Sequence, residues 1–202
     1  MGIKERRERQ RQQLRSSILD AAREIARAEG WRAVTIRKIA ERIEYSPPVL
    51  YEYFDSKDDI LLELVRLGYA RQLEAVEAAR AASSGEPEEA MLAMVRAWCD
   101  FAFRSPDLYQ VMYGLGGVSF PVTELQKEGE KIGEAIAEVI EEILRKNGKE
   151  VEDVWERVTL GWGTLHGLVS LAMAGRIPGG NEEAQRLVDQ AVRDYLSAWL
   201  AG

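Results

Sequence analysis

The sequence has one cysteine, Cys99, and one histidine, His166, in 202 residues. A lone cysteine excludes an internal disulfide and fits a reducing, cytoplasmic setting. One of each also excludes a zinc site built from cysteine and histidine, and no metal or cofactor is expected. No run of about 18 apolar residues exists, so no helix is expected to span a membrane. The opening stretch, MGIKERRERQRQQLR, is charged and has no apolar segment behind it, which excludes a secretory signal. Strand-type alternation is missing as well, leaving a sheet-based fold without support.

What is present is an apolar content of 46%, enough for a real core, and an uneven distribution of charge. Residues 1–42 carry 12 Lys+Arg against 6 Asp+Glu, although the whole chain is at −7. A basic head on an acidic body points to a polyanionic partner for the head, while a merely solvated charged helix would give the same totals.

Apolar residues recur with a 3.6-residue rhythm broken by Gly, Pro and Ser-Pro, and this predicts an all-α fold of about nine helices. The first helix is expected over Glu8–Glu29, with Leu14, Ile18, Ala22 and Ile25 on one face and Gly30 as its stop. Thr35 caps a short second helix, IRKIAERI, and Ser46 opens a third. Pro47 and Pro48 then fall in the first turn, where a missing N–H costs nothing, and Leu50 and Phe54 share the buried face. Ser56 caps a long fourth helix reaching about Ala82, and Asp58 and Asp59 suit its positive end. Further helices are expected over 87–104, 106–114, 122–147, 150–175 and 182–200.

Three helices, two of them short and joined at Glu44-Tyr45, form a helix-turn-helix pattern. Arg37 and Lys38 occupy the first turn of the second helix, where the dipole favours acids, and a phosphate at that terminus would reverse the sign. On the third helix, Pro47, Pro48 and Val49 can touch thymine methyls or sugar edges, and Glu52 can accept from a cytosine amino group. Tyr51 and Tyr53 have hydroxyls suited to phosphate, or to ordinary packing with wet hydroxyls.

The run TIRKIAERIEYSPPVLYEYFDSKDDILLEL (Thr35–Leu64) resembles the DNA-binding domain of the tetracycline-repressor (TetR) family of bacterial transcriptional regulators. Gly30-Trp31, Thr35, Ala40, Ser46, Leu50-Tyr51, Tyr53-Phe54 and Ser56-Lys57 fall on its pattern. The resemblance implies phosphate contacts from Thr35, Arg37, Ser46, Tyr51, Tyr53 and Lys57, with Pro47, Pro48 and Val49 nearest the bases. It departs at Glu44, where the family usually has a turn glycine, so a non-glycine must take up that conformation. It departs again at Glu52, which adds an acid to the reading helix, either to accept from a cytosine amino group or simply to repel the wrong sites. Residues 1–56 are thus expected to be the DNA-binding domain and 57–202 a helical ligand-binding and dimerisation domain.

In the body, Trp98, Phe101, Tyr109, Met112 and Tyr113 form an aromatic and Met-rich cluster in adjacent helices, and Trp162 and His166 are four apart on one face. Each can belong to a core or to a pocket; His166 can be structural or touch a ligand. GWGTLHGLVSLAMAGRIP and AWCDFAFRSPDLYQVMYG resemble the C-terminal domain of a TetR subgroup with a Trp-His-Gly signature, here Trp162, His166 and Gly167. That implies a pocket for a small molecule, apolar or aromatic in character, and a homodimer. Gly163 and Gly167 would admit another helix. Leu168 and Leu171, with Val188, Ala191, Val192, Tyr195 and Trp199 of the last helix, would supply a two-fold four-helix interface. The implied function is a ligand-responsive repressor that binds a palindromic DNA operator as a dimer and is released by a small molecule. A helical enzyme using Cys99 and His166 in the aromatic cavity is the alternative, without a recognisable catalytic motif; a helical scaffold without DNA binding is another.

Overall fold

A computed structural model of the chain describes residues 2–83, 85–118 and 122–201. Among them are nine α-helices and no strand, the all-α architecture that the apolar rhythm predicts. In order they are α1 (Ile3–Glu29), α2 (Ile36–Arg42), α3 (Pro47–Leu50), α4 (Lys57–Ala81), α5 (Pro87–Arg104), α6 (Pro106–Met112), α7 (Val122–Lys146), α8 (Val154–Met173) and α9 (Gly180–Ala201). The chain divides into two compact units. The first is Met1–Gly68 with Asp107–Pro121, and the second is Tyr69–Pro106 with Val122–Gly202.

In the first unit, α1 starts five residues before the expected Glu8. Its opening turns have no apolar period to read, but Arg, Lys, Glu and Gln are good helix formers. The Glu5 carboxylate also accepts from the Gly2 N–H at 3.0 Å, satisfying one donor at the helix start. Ile18, Ala22 and Ile25 are buried, on the face the spacing gives. Gly30, at φ 84°, ends the helix and donates to the Ala26 carbonyl at 2.8 Å. A 3-10 turn, Trp31–Ala33, follows and buries Trp31.

The segment 107–118 is built into this unit by charge and by close approach. Asp107, almost fully buried, accepts from Arg23 Nε at 2.7 Å and Arg27 Nε at 3.0 Å, and its carbonyl takes the Trp31 indole N–H at 3.0 Å. A Cβ on Gly116 would lie 2.5 Å from Trp31 Cδ1, so only glycine fits there.

The second unit is a helical bundle in which α5 packs on α7, α8 and α9, and α8 packs on α7 and α9. α5 buries Met91, Met94, Val95, Trp98 and Ala102 at helical spacing, and α7 meets it with Val139, Ile140, Ile143 and Leu144. Each of the buried Met, Val, Ile and Leu side chains contributes about 1.5–3 kcal/mol through removal from water. Charged rims fix the register: Arg80 binds Glu138 and Glu142, both at 2.6 Å, and Arg96 holds Asp189 at 2.5 Å through Nη2.

Candidate nucleic-acid interface

The helix-turn-helix is assembled by local chemistry. The Thr35 hydroxyl accepts from the Lys38 N–H at 3.2 Å and caps α2. Ile39 and Ala40 point into the core, leaving Thr35, Arg37 and Glu41 outward. Glu44 sits at φ 60°, so a non-glycine does adopt the left-handed turn. Ser46 occupies the N-cap of α3 with extended backbone, and Pro47 and Pro48 are its first two residues.

α3 itself is only one turn long. Tyr51–Tyr53 form a turn, with the Glu52 N–H bonded to Val49 and the Tyr53 N–H to Leu50. Ser56 must already start α4, where its hydroxyl accepts from the Asp59 N–H at 3.1 Å, and this leaves no room for more helix. Leu50 and Phe54 are both buried and pin the turn from below. Above them Ser46, Pro47, Pro48 and Glu52 are exposed, Tyr51 is 54% exposed, and Val49, Tyr53 and Lys57 are half-buried. The Ser46 hydroxyl makes no cap bond.

The basic residues of α2 differ in their availability. Lys38 Nζ lies 2.6 Å from Glu29, so a carboxylate of the same chain already balances its charge. Arg37 is 85% exposed, with Glu41 3.9 Å away, beyond hydrogen-bond reach. At the start of α2, Arg37 is therefore the cation more available to an anion.

Sequence reasoning missed a neighbouring feature. The first turns of α1 and the α3 turn enclose an open groove of about 970 Å³, lined among others by Arg7, Arg11, Tyr45, Glu52 and Tyr53. Arg11 lies 6.0 Å from the Tyr53 ring centre, and Arg15 donates to the Tyr53 carbonyl at 3.3 Å while covering the Phe54 ring at 4.4 Å. The signal in the sequence is the run Arg6, Arg7, Arg9, Arg11 and Arg15, which the charge balance over residues 1–42 does not resolve.

The candidate ligand residues divide between the units. Trp98 and Phe101 are buried on α5; Trp162, 45% exposed, stacks on half-buried His166 with ring centres 5.5 Å apart. All four lie in the second unit. Tyr109 and Met112 are buried, and Tyr113, half-buried, lies 4.6 Å from the Tyr109 ring; these three lie in the first unit. Met112 packs so closely on Gly68 that a Cβ there would come within 2.4 Å of its sulfur. Burial pushes the His166 imidazolium below its ordinary pKa, and the Ser170 hydroxyl is 3.4 Å from Nε2. Cys99 is buried, and desolvation, aided by Asp100 and Asp189, pushes its thiol up to about 12. Such a thiol supplies no thiolate at neutral pH.

Of the candidate interface residues, Val188 and Val192 face the chain's own core. Tyr195 bonds Thr164 at 2.7 Å and stacks on Trp199, which carries Arg157 over its ring at 5.4 Å, so both aromatics join α9 to α8. Leu168 and Ala191 are half-buried and Leu171 is 49% exposed. Trp155 and Leu160, unassigned by the sequence reading, are 52% and 57% exposed on the same helix. Positions 163 and 167 have nothing within 4 Å of a built Cβ.

Residues 18–64 match the profile for bacterial regulatory proteins of the tetR family, and residues 91–195 match that for a tetracycline-repressor-like C-terminal domain. An HTH-type transcriptional regulator of Bacillus subtilis (strain 168), YobS, is 30% identical over 93 residues, 46% of this chain and 48% of that protein. The chain spans about half the length of the curated relatives it matches, or less. A TetR/AcrR-family regulator of Thermobifida fusca YX-ER1 has a similar structure, with TM-score 0.67 and 25% identity over 93% of this chain and 98% of the other. A Rhodococcus sp. RHA1 protein of unknown function shares the fold at TM-score 0.79 and 19% identity, covering 93% and 95%.

Proposed function

Because the chain belongs to the tetracycline-repressor (TetR) family of bacterial regulatory proteins, we propose that it is a cytoplasmic transcriptional repressor that binds a palindromic DNA operator as a homodimer and releases it on binding a small molecule. The observation that carries this reading is the exposed Ser46-Pro47-Pro48 and Tyr51 surface, held outward by buried Leu50 and Phe54 and set at its angle by the left-handed Glu44 turn. Pro47, Pro48 and Val49 meet base edges and sugars, and Arg37, Ser46, Tyr51 and Lys57 hold phosphates that fix the register. Thr35 spends one lone pair on its cap and keeps its O–H for a phosphate; Lys38 adds to the field at longer range.

A dimer places two such turns in successive major grooves, about one DNA turn (~34 Å) or more apart. The exposed apolar residues of α8, Leu171 among them, with the open edge at Gly163 and Gly167, support an α8–α9 interface. The effector reading rests on Trp98, Phe101, Trp162 and His166, which favour an apolar or aromatic compound. An effector that binds one spacing of the heads better than another lowers operator affinity by that difference. Helix α4 contributes residues to both units and is the covalent route for such coupling.

Selection of bound sequences from random double-stranded DNA tests the reading. We expect a palindromic site, bound more weakly by Tyr51→Phe at unchanged stability. If no sequence is enriched and any binding is indifferent to salt, the DNA reading is lost.

A further inference from the structure

We infer that the groove between α1 and the α3 turn seats the sugar-phosphate backbone of DNA flanking the bases read by α3, with Arg7 and Arg11 as phosphate contacts. The inference rests on the regulator reading above and extends its footprint to residues that the helix-turn-helix does not include.

Leu14, Ile18 and Ile25 mark the face of α1 that turns to its own core. Followed toward the N-terminus, that same stripe continues through Arg11, Gln10 and Arg7, so it changes from apolar to cationic where the unit's packing ends. A helix that packed on its own chain there would need apolar residues. Instead the stripe faces an open groove of about 970 Å³ whose other wall includes Tyr45, Glu52 and Tyr53. No carboxylate of the chain forms an ion pair with Arg7 or Arg11 among the described residues. Residues 4–11 are all exposed, and a polar helix of this kind has little stability of its own. Both features are relieved by an anionic occupant.

Position selects the anion. Tyr45 immediately precedes Ser46 and Pro47, and Tyr53 ends the same turn, so the groove is continuous with the surface that meets the bases. Its lining is dominated by donors (two arginines, glutamines, a serine and two phenols) of the kind that recognise phosphate and sugar oxygens without reading sequence. Glu52 is the single acid in the lining and confines the phosphates to the α1 side.

The test is fluorescence anisotropy with two labelled duplexes, one of mixed sequence and one obtained by selection, across a range of salt concentrations. Each phosphate contact contributes about 0.9 to the slope of log K against log salt, so Arg7→Gln/Arg11→Gln should flatten the slope by roughly 1.8 per bound chain. The loss of affinity should be the same factor on both duplexes, because phosphate contacts carry no sequence information. Arg7→Lys/Arg11→Lys should keep the slope, and so should Lys127→Gln, which removes one charge from the second unit. A double glutamine variant with the unaltered slope overturns this inference alone. Failure of the unaltered chain to bind either duplex overturns the inference together with the regulator reading.

Discussion

Replacing Asp107 by alanine probes how the first unit is held together. The Asp107 side chain is 2% exposed and accepts from Arg23 Nε at 2.7 Å and Arg27 Nε at 3.0 Å. Arg23 is itself only 9% exposed, so removing the carboxylate leaves a guanidinium cut off from water with its partner gone. Breaking a buried pair in this way costs about 3–5 kcal/mol. Arg27 is 50% exposed and recovers water, which adds little. The bond from the Trp31 indole to the Asp107 main-chain carbonyl survives the substitution, so the loss is electrostatic in origin. Set against a total stability of about 5–15 kcal/mol, it is a large fraction. With a urea dependence of about 2 kcal/mol per molar, the midpoint should fall by roughly 1.5–2.5 M in a circular-dichroism titration at fixed protein concentration. The double variant Arg23→Met/Asp107→Leu removes both charges and should recover most of the loss, because the desolvation penalty leaves with them. A shift below about 0.5 M for the single variant, or a double variant as unstable as the single, would refute the reasoning.

Other outcomes follow from single residues. Glu44→Gly should raise stability by about 0.5–1 kcal/mol in thermal melts, since glycine takes φ 60° without the Cβ clash; a loss of stability would show that the Glu44 side chain earns its place in another way. Cys99 should resist a thiol reagent at pH 8 in the native protein and react once denaturant is added, because burial keeps the thiol neutral; fast native reaction would contradict that environment. For His166 the folded-state pKa is lowered, so the unfolded chain takes up the proton first as pH falls. Stability should be fully present above the ordinary histidine value, about 6.5, and decline below it, and His166→Gln should flatten that decline in urea titrations run across the range.

The legible part of this molecule is the part set by near neighbours along the chain. Thr35, Ser56, Gly30 and the Pro47-Pro48 pair mark helix ends because a cap, a left-handed glycine or a missing N–H acts within about one turn. The Glu44 conformation was foreseeable only through the family resemblance, which places a turn glycine at that position. Locality failed at the start of α1, where polar residues form helix without leaving a period to detect, and at α3, where the cap of α4 cuts the helix to one turn.

The sequence by itself determined the helical class, most helix limits and the outward face of the Pro47–Tyr51 turn. Only the tertiary structure decided which charges are already matched. Lys38 is balanced by Glu29 and Arg23 by Asp107, 84 positions away, whereas among the described residues Arg7 and Arg11 have no carboxylate partner and Arg37 has only Glu41 at 3.9 Å. It also decided that Val188 and Val192 turn inward while Leu160 and Leu171 of α8 stay exposed. Helical spacing tells which residues share a face, but the neighbour covering that face comes from distant parts of the chain, and no local period encodes it.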